Sequence, residues 1–141
     1  MAGGIVTGSQ AGLAPADVKM FVLDQSSQPG ELLERSVGVR NAAYGVVHAV
    51  ASRQAMARNA IVITHELLHI LGATDKYDMR SGQPLPPDGL ANPGQSPLYP
   101  QQRAEIMAGR VPLNAREALM PGSLKEVVIG PATASEIRLQ R

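Results

Sequence analysis

The sequence predicts an α+β domain: a small twisted mixed sheet with one long helix packed on it, followed by an irregular C-terminal half. Short runs of β-forming residues precede residue 52, and one helical stretch spans about Arg53 to Leu71. The stretch from Ser81 to Pro100 holds six of the eleven prolines and three glycines, which exclude a helix or a central strand. The 141 residues suit one domain, with sheet and helix in 1–72 and loops in 73–141.

The composition excludes several classes of protein. Hydrophobic residues make up 44% of the chain and charged residues 18%, which is typical of a globular protein rather than a disordered one. The formal net charge is +1 and the basic residues are scattered, so neither nucleic acid nor a membrane is expected as a partner. The sequence has no cysteine, which excludes disulfides and thiolate metal sites.

Localisation is predicted from the lack of targeting patterns. The N-terminus lacks the basic region and apolar run of a signal peptide, and no apolar stretch is long enough to span a bilayer. We therefore expect a cytoplasmic protein, although a secreted protein that has lost its leader would look the same. Nothing in the sequence indicates the oligomeric state.

Three strands are predicted before the helix. The first is the apolar run from Lys19 to Leu23, which a polar segment and Pro29-Gly30 close. Ser36 to Arg40 alternates apolar with small or polar residues, and Tyr44 to Val50 is rich in β-forming residues. A short turn near Asn41 would join the second strand to the third.

The long helix is predicted to begin after Ser52, a suitable N-cap, and to run from about Arg53 to Leu71. Asn59 could instead cap a shorter helix that keeps the last three turns. The apolar face expected against the sheet consists of Ala55, Met56, Ala60, Ile63, Leu67, Ile70 and Leu71. His65 and His69 would then lie on the other side of the helix.

Three further elements are predicted near the C-terminus. Asn114 is expected to cap a helical turn over Ala115 to Met120. Leu124 to Ile129 is compatible with either a strand or a helix. Thr133 to Glu136 has the form of a capping box, which would open a short helix through Leu139.

Two of the three histidines, His65 and His69, are four residues apart in the predicted helix. Residues at this spacing lie on nearly the same face, about 6 Å apart along the axis, so two imidazoles can bind one cation. Glu66 lies beside that cation. This is the HExxH arrangement of zinc hydrolases, in which the glutamate acts as general base on a water that the metal activates. A plainer interpretation is an amphipathic helix whose histidines pair with nearby acids and whose glutamate is solvated.

A catalytic zinc usually has three protein ligands and one open position. Gly72 can end the helix in a left-handed conformation and turn the chain back toward the metal. Asp75 follows three residues later and is the best candidate for the third ligand. Alternatively, Asp75 only caps the following turn, for which Asp78 would serve equally well.

The pattern His65-Glu66-x-x-His69-x-x-Gly72-x-x-Asp75 resembles the metzincin metallopeptidase signature in the aspartate-ending form of snapalysin-type members. The resemblance implies one Zn²⁺ per chain, an extended peptide substrate against an edge strand, and a methionine turn under the metal. Ala104 to Gly109 fits this turn, with Met107 as the floor of the site. Some metzincins carry a tyrosine two residues after the turn methionine, where this chain has Gly109. Without the resemblance, Met107 would be interpreted as a residue of the hydrophobic core.

The expected function is therefore that of a zinc-dependent metallopeptidase acting on a peptide or protein substrate. The metal would be bound by His65, His69 and Asp75. Glu66 would act as the general base that takes a proton from the attacking water. One rival is a catalytically silent binding or regulatory domain that zinc staples together, with His48 or Asp78 as a fourth ligand. Another is an interaction domain without a metal.

Other residues are weaker candidates for the same site. Tyr77 and Tyr99 could stabilise the oxyanion. His48 could be a pocket residue or an alternative ligand, although a half-buried strand histidine is the plainer interpretation. The segment from Ser81 to Pro100 is either an ordered loop that lines the active site or a simple connector.

Overall fold

The computed structural model describes residues 19–25, 37–39, 44–50, 52–53 and 55–138. These residues form a small α+β structure with short sheets and two α-helices, which confirms the predicted fold class in its coarse form. The chain divides into two compact units, Met1–Leu71 and Gly72–Arg141. None of the helices in the described ranges is long and apolar enough to cross a bilayer.

The first unit contains a mixed three-stranded sheet. Its strands are β1 (Lys19–Gln25), β2 (Val37–Val39) and β3 (Tyr44–Val50), in the order β1-β3-β2. β1 is parallel to β3, while β2 is antiparallel to it. The predicted bounds of β3 are confirmed, whereas the predicted first strand ended two residues before the end of β1. Val47 and Ala49 are buried at alternate positions of the central strand, as the period of a strand requires.

Helix α1 (Met56–Ile70) packs against β2 and β3. It begins later than predicted, because Ser52 forms a turn before the helix rather than its N-cap. The Ala55 N–H donates to Ser52 Oγ at 3.1 Å, and the Met56 N–H donates to the Ser52 carbonyl at 3.2 Å. The N-cap is Ala55, which has no side-chain capping bond. Asn59 lies inside the helix, so the alternative start was also wrong.

The apolar face of α1 was predicted incorrectly in part. Ile70 is buried as expected, but Met56 and Leu71 are 65% and 47% exposed. The remaining predicted members are only partly buried, namely Ala55, Ala60, Ile63 and Leu67. The buried positions of the helix are instead Ile61, Glu66, Leu68 and Ile70. Apolar residues occur on almost every side of this segment, so the 3.6-residue period did not determine which side faces the protein.

The second unit is built from short strands and turns around a small core. Ala104–Glu105 (β4) pairs in parallel with Val127–Val128 (β7), and Val111–Pro112 (β5) pairs antiparallel with Ala118–Leu119 (β6). A 3₁₀ turn, Leu124–Glu126, precedes β7, and helix α2 (Pro131–Glu136) follows β7. The ambiguous segment from Leu124 to Ile129 is thus part helical turn and part strand. Side chains buried almost completely in this unit include Leu90, Ile106 and Met107.

The helical turn predicted after Asn114 is wrong, because this segment forms part of the β5–β6 hairpin loop and then strand β6. Asn114 Oδ1 accepts hydrogen bonds from the Arg116 and Glu117 N–H groups at 2.8 and 3.0 Å. The Leu113 N–H donates to the Glu117 carbonyl at 2.8 Å. An asparagine side chain can organise a tight turn in the same way that it caps a helix, so the local sequence fits both structures.

The predicted capping box at Thr133 is also wrong. Helix α2 spans Pro131–Glu136, with Gly130 at the N-cap and proline at the first position, where its missing N–H costs nothing. The hydroxyl of Thr133 donates instead to Glu105 Oε1, and the Glu136 carboxylate accepts bonds from Thr74 and Lys76. Tertiary partners thus replaced the local bonds of the box. The predicted end at Leu139 lies outside the described residues.

The proline-rich loop from Ser81 to Pro100 is held by two glutamine side chains. Gln95 Nε2 donates to the carbonyls of Pro97, Leu98 and Pro100 at 2.7–3.1 Å. The side chain of Gln101 accepts from the Asn92 N–H and donates to the carbonyls of Asn92 and Leu98. Prolines supply no N–H groups, so side-chain amides satisfy these carbonyls instead. The loop therefore has its own hydrogen-bond framework.

Candidate metal centre

His65 and His69 lie one turn apart in the last two turns of α1. Their ring centroids are 4.7 Å apart and the rings are nearly perpendicular, at 83°. Both histidines are half-buried. The helix thus presents two imidazoles side by side, as the four-residue spacing predicts.

Gly72 ends the helix as predicted. The Leu71 N–H donates to the carbonyls of Leu67 and His69, and Leu71 is the C-cap. The next residue, Gly72, has φ of +110°, a conformation that side chains rarely adopt. A glycine is therefore required at this point, from which the chain leaves the helix axis and leads to Asp75.

The ligand atoms of His65, His69 and Asp75 all lie within 4.8 Å of one another, and all three residues are half-buried. Within the described ranges, these residues make up the only group of three or more histidine, aspartate or glutamate side chains that could hold an ion. Two imidazole nitrogens and one carboxylate oxygen are a typical donor set for catalytic Zn²⁺. Zinc bonds of about 2.0–2.2 Å require somewhat shorter ligand spacings, so the three side chains would have to rotate toward a bound ion.

Glu66 follows the first histidine and is 8% exposed, the lowest exposure of the charged residues of α1. A carboxylate in such a site is shielded from solvent, so its interactions with a polar reactant are stronger than at the surface. Glu66 thus has the position in the sequence and the burial expected of the general base in the HExxH arrangement.

The residues on both sides of Asp75 are held by Glu136, the last residue of α2. The Thr74 N–H donates to Glu136 Oε2 at 2.8 Å, and the Thr74 hydroxyl donates to Oε1 at 2.7 Å. Lys76 Nζ donates to both carboxylate oxygens at 2.8 and 2.9 Å. Glu136 lies 62 residues after Thr74 in the sequence, and no local pattern indicates this contact.

Glu136 has an altered pKa, which gives a testable pH dependence. Burial raises the pKa of this carboxyl, but the hydrogen bonds from Lys76 and Thr74 outweigh it and hold the pKa below the ordinary 4.5. A lowered folded-state pKa means that the ionised group stabilises the fold above pH 4.5, and that this contribution is lost as the pH falls further.

We therefore expect Glu136→Gln to lower the unfolding free energy of the metal-free protein more at pH 7 than at pH 3. Urea unfolding of the wild type and the variant at both pH values would measure this difference. An equal difference at the two pH values would contradict the role of the ionised carboxylate.

The candidate Met-turn residue, Met107, is fully buried in the second unit. Its carbonyl accepts a hydrogen bond from the Lys76 N–H at 3.0 Å, so the turn lies against the residue that follows Asp75. The nearby Gly109 has φ of +71°, which an L-residue rarely adopts, and this backbone disfavours the tyrosine that some metzincins carry there. These contacts put the turn beside the third candidate ligand, and its role under a metal stays a prediction.

The turn around Met107 depends on Glu105, a residue that no sequence motif indicated as functional. Glu105 is fully buried, and its Oε2 accepts from the N–H groups of Met107 and Ala108 at 2.6 and 3.1 Å. Its Oε1 accepts from the Gly130 N–H at 3.1 Å and from the Thr133 hydroxyl at 2.6 Å. The available signal was an acid within an otherwise apolar run, which must find partners when the run is buried.

Of the remaining candidates, Asp78 does not belong to the group of ligand atoms. Tyr77 and Tyr99 are both half-buried in the second unit, and their proposed role at an oxyanion is not tested by their positions. Asp78 is engaged in its own turn, where Oδ1 accepts from the Arg80 N–H and from the N–H and hydroxyl of Ser81 at 2.7–3.0 Å. His48 lies in β3 opposite Leu23, and its side chain lies outside the described residues.

No protein-family model, curated protein or solved structure matches this chain. The metzincin resemblance therefore depends on the signature ending at Asp75 and on the segment around Met107. The geometry of those residues is the basis on which function can be inferred.

Proposed function

We propose that this chain is a zinc-dependent metallopeptidase. The observation that carries the proposal is the convergence of His65, His69 and Asp75, whose ligand atoms lie within 4.8 Å of one another. Glu66, the residue that follows His65, is buried. Two histidines and a carboxylate leave one position open on a tetrahedral zinc ion, as a catalytic site requires. The substrate is proposed to be a peptide or a protein.

In this scheme a bound zinc ion supplies the positive charge that makes a water acidic near neutral pH and polarises a peptide carbonyl. Glu66 accepts the proton of the attacking water and then gives it to the leaving amine. Its burial keeps bulk water from competing for the carboxylate. His65 and His69 hold their positions through α1, while Asp75 is held by its bonded neighbours.

The silent, zinc-stapled domain remains the alternative from another class. A structural zinc site needs a fourth protein ligand. Asp78, one of the two candidates, already accepts three hydrogen bonds within its own turn through Oδ1. That engagement favours the catalytic site, and cleavage of a peptide library by the zinc-loaded protein would separate the two functions.

Metal content tests the site that both functions share. We expect protein purified without added metal to contain about one zinc per chain, and the double variant His65→Ala, His69→Ala to contain none. Mass spectrometry of the native protein would measure both, with Glu126→Gln, a surface variant, as the control. Circular dichroism would show that the double variant is folded, and equal metal in wild type and double variant would contradict the assignment.

A further inference from the structure

The backbone of Lys76 is held from two directions, in addition to the contacts of its side chain with Glu136. Its N–H donates to the Met107 carbonyl at 3.0 Å, and its carbonyl accepts from the Leu85 N–H at 2.8 Å. A Cβ atom at Gly89 would lie 2.3 Å from the Lys76 carbonyl oxygen, so only glycine permits this close approach. The chain immediately after Asp75 therefore has little freedom to move.

The chain immediately before Asp75 depends more strongly on Glu136. Both the N–H and the hydroxyl of Thr74 donate to its carboxylate. Lys76 Nζ, which bonds the same carboxylate, also donates to the Thr74 carbonyl and hydroxyl at 2.8 Å. One carboxylate thus connects the two neighbours of Asp75 to each other and to α2.

Charge gives Glu136 a second effect. The side chain of Lys76 is 6% exposed, and its ammonium group forms an ion pair with Glu136 at 2.8 Å. A buried cation without its partner is strongly unfavourable and attracts any nearby carboxylate. Asp75 is the adjacent residue, so loss of Glu136 would make Lys76 compete with a metal ion for the Asp75 carboxylate.

We propose that Glu136 is a positioning residue for Asp75: it fixes Thr74 and Lys76, neutralises the lysine, and leaves the Asp75 carboxylate available to a divalent metal. This inference rests on the proposed zinc site and adds to it a residue with no place in the metal-binding motif. Groups that orient a metal ligand change metal affinity about 10–100-fold when they are removed.

The test is the affinity of the full chain for Zn²⁺ and Co²⁺, measured by competition with a coloured chelator at a temperature where every variant is folded. We expect Glu136→Ala to weaken binding at least about 10-fold. Glu136→Gln, which keeps an acceptor oxygen, should lie between Glu136→Ala and the wild type. Glu126→Ala is the matched control, because the carboxylate of that exposed glutamate accepts only from the Gly122 N–H, at 3.0 Å, within the described structure.

The visible spectrum of the Co²⁺-loaded protein gives a readout that stability alone does not move. We expect Glu136→Ala to change the band positions and intensities, because the coordination by Asp75 is altered. If Glu136→Ala does not fold, Thr74→Val, which removes only the hydroxyl bonds, should still weaken binding measurably. Wild-type affinity and spectrum in folded Glu136 variants would overturn the positioning role and leave the zinc site standing. A wild type that binds neither ion would overturn both.

Discussion

Glu66→Gln is expected to retain about one zinc per chain while its turnover of peptides falls by about 10²–10⁴-fold. Glutamine has nearly the same shape as glutamate, so the buried site beside His65 keeps its packing, but an amide cannot accept the proton of the attacking water. The loss should appear in kcat, because the residue acts on the reacting water rather than on substrate binding.

The measurement begins with the cleavage of a peptide library by the zinc-loaded wild type, followed by mass spectrometry of the products. One cleaved peptide then serves as the substrate for kinetics on each variant. Glu126→Gln is the control, since it makes the same chemical change at an exposed position of the second unit. Full turnover by Glu66→Gln with normal zinc content would remove Glu66 from the mechanism.

The sequence predicted the parts of the candidate site that are local in the chain. The spacing of His65 and His69 gives a shared helix face wherever the helix begins, so the error of three residues at its start had no effect on the pair. Gly72 was identified because a positive φ has a specific residue preference. Strand β3 was bounded correctly because its β-forming residues are flanked by poor ones.

The parts that depend on distant partners could not be predicted in this way. Thr133 and Glu136 fit a capping box by spacing, yet their partners are Glu105 and the residues on either side of Asp75. The same donors and acceptors can form hydrogen bonds within a helix or with distant residues, and the local sequence pattern does not distinguish the two. The same limit explains the failure at Asn114, where a hairpin turn replaced a helix.

Glu105→Ala is expected to lower the unfolding free energy by about 3–5 kcal/mol, a large effect for one substitution. The variant would leave the buried N–H groups of Met107, Ala108 and Gly130 and the hydroxyl of Thr133 without the carboxylate that accepts from them. Each bond to a charged acceptor contributes about 1.5–3 kcal/mol, and partial relaxation of the turn keeps the total below the sum. Urea unfolding of the metal-free protein would measure it.

Glu105→Gln removes one acceptor oxygen but keeps the volume of the side chain. An amide has one acceptor oxygen, so its NH₂ group must face either the N–H pair of Met107 and Ala108 or the Gly130 N–H. The Thr133 hydroxyl can rotate and accept a hydrogen bond from the amide, but the backbone N–H groups can only donate. The unfolding free energy is therefore expected to fall by about 1–3 kcal/mol, even though the substitution leaves no cavity. Asp88→Ala, at an exposed acid of the second unit whose carboxylate has no hydrogen bond within the described residues, should change stability by no more than about 0.5 kcal/mol.

A double-variant cycle tests whether Glu105 stabilises the fold through its hydrogen bond with the Thr133 hydroxyl of α2. Thr133→Val alone should cost about 1 kcal/mol, because it removes the hydroxyl donor at 2.6 Å and keeps the shape of the side chain. Combined with Glu105→Ala, the two losses should not add, since both variants remove the same hydrogen bond. Additive losses would show that Thr133 contributes independently of Glu105. Glu105 would then act through its bonds to the backbone N–H groups of Met107, Ala108 and Gly130, without a contribution from the Thr133 hydroxyl.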